Sequence, residues 1–208
     1  KDEDYNFYRV YCLGEWGTFA NVILTNWEVV DIDYYRDLNK LYNQFEYLIY
    51  GIDWGVSHAS VILLVGVKNN GDIYVLDELY KKGLTNSELI LEAEDFILDN
   101  NMEIIADSAE PDRIREFKLN NFLNIRSAQK GAGSVKTGID FLKRNKIYIN
   151  SHCSNTIKEI QNWQYKTDKD GNVLDIPVAF NDDCMAALRY ATEQFWPCKK
   201  TIGFVKLR

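Results

Sequence analysis

Three apolar runs follow one another between residues 47 and 80, and they leave this chain few ways to fold. "YLIYGID" (47–53), "SVILLVGVK" (60–68) and "IYVLDELY" (73–80) are strand-length, rich in β-branched and aromatic residues, and continuous enough to be buried. The last two are separated by "NNGD", a turn sequence that folds them into a hairpin. The expectation is an antiparallel three-stranded start to a sheet. The first strand has an unusual end. It stops at a carboxylate, Asp53, followed by Trp54, Gly55 and a polar turn.

Helices and strands then alternate. In "TNSELILEAEDFILDN", Thr85 and Glu88 have capping-box spacing, and Leu89, Ala93, Phe96 and Ile97 repeat at helical spacing. "MEIIADSAEPD" reads as a short strand that again stops at an aspartate, Asp107, with Pro111 opening the next helix towards Asn120. "LNIRSAQK" and "KIYIN" read as strands, and "SVKTGIDFLKRN" and "SNTIKEIQNWQ" as helices. "YKTDKDGNVLDIPVAF" reads as a hairpin about Asp-Gly, and "NDDCMAALRYATEQFW" as a closing helix stopped by Pro197. This order predicts an α/β domain with a mixed sheet, antiparallel first and parallel afterwards, flanked by helices. Residues 1–47, rich in Tyr, Trp and Asn and weakly periodic, read as an arm or the end of a preceding domain. Residues 48–198 read as the main domain, and 199–208 as a basic tail.

Composition removes several function classes. No apolar run reaches the ~18 residues of a membrane span. Cys12, Cys153, Cys184 and Cys198 form no CxxC pair, so neither a zinc site nor a disulfide framework is expected. "GAGSVKTG" resembles a phosphate-cradling loop but has Val135 ahead of Lys136, which breaks the required Gly-Lys-Ser/Thr. The net charge of −7 counts against nucleic acid as a whole-molecule property. Local clusters count the other way: Lys130, Lys136, Lys143, Arg144 and Lys146, then Lys199, Lys200, Lys206 and Arg208.

Asp53 and Asp107 both fall where α/β sheets place their sites, at the carboxyl ends of strands. A third acidic position, Asp182 and Asp183, stands at a helix start, where charge–dipole capping alone could explain it. Three half-buried carboxylates repel unless a divalent cation compensates them. Two ions ~4 Å apart can activate a water and stabilise the leaving oxygen in phosphodiester cleavage.

The stretches "YGIDWGVSH", "DELY", "IIADSAEPDRIREFK", "AQKGAGSVKTGIDFLK", "IYI" and "NDDCMAALRYA" together resemble the nuclease domain of the large terminase subunit of tailed bacteriophages. The similarity runs from about Tyr50 to Phe195, and "YRVYCLGEWG" resembles the end of that family's ATPase domain. The resemblance implies an RNase H-like fold, cutting of concatemeric double-stranded phage DNA during packaging, and Mg²⁺ or Mn²⁺ as cofactor. It implies as partners DNA, an ATPase motor domain of the same polypeptide, a portal and a small terminase subunit, in the cytoplasm of the infected bacterial host. Asp53 and Asp107 match the first two metal-binding aspartates. At the third, the family's aspartate aligns with Ala186, three residues after Asp183. Either Asp183 supplies the carboxylate from one helical turn earlier, or the site is weakened by substitution. In the first case Asp53 would bridge two metals, with one each on Asp107 and Asp183.

Lys130, Lys136, Lys166 and His58 are candidate contacts to DNA, each against the alternative of a solvated surface residue. Glu78 could assist metal binding or simply end a strand. Arg189 and Tyr190 are expected to brace the last helix against the sheet. Other functions remain open: another RNase H-like nuclease such as a resolvase or integrase, or an inactive DNA-binding or assembly module. A sugar-kinase-like ATPase would need a second Gly-rich phosphate loop, which is not found.

Overall fold

The computed structural model describes residues 21–55 and 58–196. In chain order the elements are β1 (Trp27–Val30), α1 (Leu38–Gln44), β2 (Tyr47–Asp53), β3 (Ala59–Val67), β4 (Ile73–Lys82), α2 (Asn86–Phe96), β5 (Glu103–Ala106), α3 (Pro111–Leu119), β6 (Ile125–Ser127), α4 (Ser134–Arg144), β7 (Ile147–Asn150), α5 (Ser154–Asn162), β8 (Tyr165–Thr167), β9 (Val173–Pro177) and α6 (Asp183–Ala191). A 3₁₀ turn, Glu193–Phe195, follows α6.

Seven strands form one sheet in the order β1-β7-β4-β3-β2-β5-β6. The β2–β3 and β3–β4 pairs are antiparallel. The remaining pairs, β2–β5, β5–β6, β4–β7 and β1–β7, are parallel. β3 lies in the middle and is buried along its whole length, so it reads as an unbroken apolar run without alternation. The "NNGD" turn closes as expected, with Gly71 at φ +90° and its N–H donating to the Lys68 carbonyl at 2.9 Å. The capping box at Thr85 and Glu88 is formed in both directions.

Period-2 alternation divides the sheet into two cores. Ile49, Val61, Leu63 and Ile105 face α4, α5 and α6. Tyr50, Ile52, Ile62, Leu64 and Ile104 face α1, α2 and α3. A bulge between Leu64 and Val65 leaves Leu76 as the extra residue of β4.

Two differences from the sequence reading concern the ends. Residues 22–47, read as part of an arm, are stitched into the sheet. β1 pairs with β7, Leu24 and Leu41 are fully buried, and the Asn150 side chain bonds both backbone groups of Ile32 at 3.0 Å. A four-residue, half-exposed edge strand carries too little pattern to be legible, and its pairing is to a strand more than 100 residues later. The closing helix ends at Ala191 rather than running to Trp196, with Thr192 as its cap. The "YRVYCLGEWG" segment and the basic tail lie outside the described residues.

Candidate active site at the carboxyl edge of the sheet

Asp53 is the last residue of β2, and Asp107 follows β5 directly. The two strands pair in parallel up to Ile52 and Ala106. The Asp107 N–H then donates to the Ile52 carbonyl at 2.9 Å, extending the ladder one step. By alternation both aspartates belong to the face covered by α6.

What brings α6 there is Gly51, two residues before Asp53 on the same face. A Cβ at Gly51 would stand 2.0 Å from the Ala187 carbonyl oxygen. Only the missing side chain lets α6 lie directly on β2, and its first residue is Asp183. Asp107 is held from the other side. Its Oδ1 accepts the Ala109 N–H, and its carbonyl accepts the Trp54 Nε1–H, both at 2.9 Å. The Trp54 ring packs on Phe117. The turn after Asp53 is closed by Ser60, whose hydroxyl accepts from the Gly55 N–H and donates to the Gly55 carbonyl.

The electrostatics follow from this crowding. The Asp53 carboxyl is pushed up to about 8, first by burial, then by the charges of Asp107 and Asp183, with Arg189 opposing. Asp182 and Asp183 are also raised, in both cases chiefly by burial; Arg189 opposes the shift at Asp182 and His58 at Asp183. Asp182 occupies the N-cap position of α6 but makes no side-chain capping bond. Ala186 is a buried residue of the first turn of α6, its N–H bonded to the Asp182 carbonyl at 2.8 Å.

The other predicted contacts separate into two groups. Lys130 is ion-paired with Asp107 and lies 5.7 Å from the centre of the Tyr190 ring. His58 is exposed near Asp182 and Asp183. Lys136 is instead ion-paired with Asp175 of β9, and Lys166 is exposed on β8, so both belong to the hairpin side. Glu78 does not simply end a strand in solvent. Its carboxylate accepts from the N–H and side chain of both Asn155 and Thr156, capping α5.

One group in the site has more than its expected role, and another is absent from the sequence reading. Arg189 is only 7% exposed and stands among the carboxylates as their buried counter-charge, rather than merely bracing the helix. Glu159 of α5 is 5% exposed, accepts the Cys184 N–H at 2.6 Å and is pushed up to about 8 by burial, with Asp183 adding to it. Thr156, Glu159 and Ile160 share the buried stripe of α5, so a glutamate at core spacing was the available signal.

Among the described residues, no three Asp, Glu, His or Cys side chains already sit together as a metal-ligating set. The donor chemistry nonetheless fits a hard divalent cation: carboxylate oxygens from separate elements, mutually repelling, at a strand-end edge.

The model of the Terminase RNAseH like domain family matches residues 55–194, well over half of the chain. The chain belongs to that family. It is 27% identical over 200 residues to the PBSX phage terminase large subunit of Bacillus subtilis (strain 168), covering 94% of this chain and 45% of that protein. It is 33% identical over 133 residues to the terminase large subunit of Bacillus phage SPP1, covering 61% of this chain and 31% of that protein. The terminase domain thus spans less than half the length of these curated relatives. Its fold superposes on the crystal structure of the g2p (large terminase) nuclease domain of bacteriophage SPP1 with bound Mn, with a TM-score of 0.71 and 24% identity, covering 83% of this chain and 98% of that one. The mixed sheet is the RNase H-like nuclease sheet. No helix among the described residues is long and apolar enough to cross a membrane.

Proposed function

We propose that this terminase domain is a metal-dependent endodeoxyribonuclease that cuts concatemeric double-stranded DNA during genome packaging in the host cytoplasm. Asp53, Asp107 and Asp183 are its ligands for two Mg²⁺ or Mn²⁺ ions. The observation that carries this reading is the crowding of Asp53 by Asp107 and Asp183, contributed by three separate elements. Such crowding is costly for folding and is relieved by a cation. The Mn-bound SPP1 nuclease domain, similar in fold, supports the same chemistry here. A bound divalent cation would polarise the scissile phosphate and lower the pKa of a coordinated water.

The chain's own groups have distinct parts. Asp53, acted on by the charges of Asp107 and Asp183, would be a ligand in its deprotonated form when a cation is held. Lys130, paired with Asp107, is placed to meet a DNA phosphate where Asp107 would hold a cation. Arg189 balances the carboxylates from beneath, and His58 with Lys130 borders the strand's path. The ATPase motor, portal and small subunit are the expected partners. A second reading, an inactive DNA-binding or assembly module, is favoured by Ala186 alone.

Nicking of supercoiled plasmid separates them, using Mn²⁺, Mg²⁺ or EDTA with the unmodified chain, Asp53→Ala and Ala186→Asp. Cutting that needs metal and vanishes in Asp53→Ala is the expected result. Cutting only by Ala186→Asp would move the third ligand to that position, and no cutting by any of them would favour the assembly module.

A further inference from the structure

We infer that the cavity between the start of α4 and the last turns of α6 is a binding site for a DNA backbone phosphate adjacent to the one that is cut. The inference rests on the nuclease reading and adds a second substrate contact to it. The cavity holds about 200 Å³ and is bordered by Lys130, Ser134, Arg189, Tyr190 and Trp196. That is several water volumes at ~30 Å³ each, yet below the ~300 Å³ where pockets for larger ligands begin. A phosphodiester group fits this range.

Three features select an anion. α4 has 11 residues, begins after Gly133 at φ +82°, and has neither a side-chain cap nor an acidic residue in its first turn. The Ser134 N–H donates to the Gly131 carbonyl at 3.0 Å, which leaves the N–H groups of Val135 and Lys136 in the first turn for an anion. Nothing lies within 4 Å of where a Cβ would stand on Gly131 or Gly133, so a ligand can approach that backbone. The deciding feature is Arg189. It is 7% exposed, it lines the cavity, and its Nε has no hydrogen-bond partner among the described residues. A buried guanidinium N–H without an acceptor is costly, and an oxyanion supplies the acceptor. Lys130 joins the two places, lining this cavity while paired with Asp107. A strand whose scissile phosphate lies at Asp53 and Asp107 would then place a neighbouring phosphate beside Ser134 and Arg189.

Ser134→Asp is the informative substitution. A carboxylate in the first turn favours the helix, so folding is preserved while the cavity becomes repulsive to phosphate. Binding of a short DNA duplex is measured by fluorescence anisotropy in Ca²⁺, across salt concentrations, alongside Mn²⁺ binding by calorimetry. The duplexes carry a neutral methylphosphonate at one backbone position at a time. The expected results are a roughly tenfold weaker duplex affinity for Ser134→Asp, a salt slope lower by about one, and unchanged Mn²⁺ affinity. One non-scissile methylphosphonate should cost the unmodified chain a similar factor and cost Ser134→Asp nothing further. Lys130→Gln should lose binding at the same phosphate. Equal affinity of Ser134→Asp and the unmodified chain, or a loss spread evenly over all phosphate positions, overturns the inference. So does an absence of duplex binding by the unmodified chain. Plasmid nicking reports the nuclease reading independently: intact cutting with no phosphate-specific effect sinks only the cavity.

Discussion

Asp53→Asn should make the metal-free domain more stable while abolishing cutting. The folded chain holds the Asp53 proton up to about pH 8, against an ordinary value of 3.8. Between those two values the unfolded chain binds fewer protons than the folded one, so stability falls as pH rises through that window. At pH 7, about three pH units above the ordinary value, the full linkage is about 4 kcal/mol at ~1.4 kcal/mol per unit. Solvent at the open edge of the sheet screens part of this, and about 2 kcal/mol is the working figure. Asparagine keeps the shape of the neutral acid and has no proton to lose. In EDTA at pH 7 the variant should therefore melt roughly 4–8 °C higher, since ~1 kcal/mol moves a domain of this size by ~2–4 °C. Circular dichroism melts across pH would show the gap closing below about pH 4 and widening towards pH 8. Mn²⁺ should raise the melting temperature of the unmodified chain, with proton release on binding, and raise that of Asp53→Asn much less. A variant that melts lower in EDTA, or that follows the same pH curve as the unmodified chain, would show that Asp53 is not held in this strained state.

Two further substitutions probe how the edge is built. Gly51→Ala places a methyl carbon against the Ala187 carbonyl, where only 2.0 Å is free, so α6 must lift from β2. Urea unfolding should show a loss of at least ~3 kcal/mol, and under conditions where the variant is still folded, nicking should fall well beyond the fraction unfolded because Asp183 moves off Asp53. Glu78→Ala removes the acceptor for four hydrogen bonds at the start of α5. It should cost about 2–4 kcal/mol while leaving Mn²⁺ affinity unchanged in calorimetry; a large drop in that affinity would make Glu78 a ligand rather than a cap.

What was legible in the sequence was what depends on neighbours in sequence. The β2–β3–β4 start, the capping box at Thr85 and the strand ends at Asp53 and Asp107 are all local patterns, and each occurs where expected. The roles of Glu78, Glu159 and Arg189 are not local. Glu78 caps a helix 77 residues away, and Glu159 holds the backbone of a helix 25 residues away. A carboxylate at the end of a strand run looks the same in sequence whether it meets a metal or a helix N-terminus, and only the packing decides. Arg189 makes the same point for charge. In "ALRYA" it reads as a brace between the last helix and the sheet, yet the close approach of α6 to Gly51 buries it where its charge acts on the carboxylates. The glycine that permits that approach is thus the least conspicuous residue of "YLIYGID" and the one that links its terminal aspartate to Asp183. The spacing of Gly51 and Asp53 on one face of β2 sets the depth at which α6 meets the sheet, and with it the distance between Asp53 and Asp183.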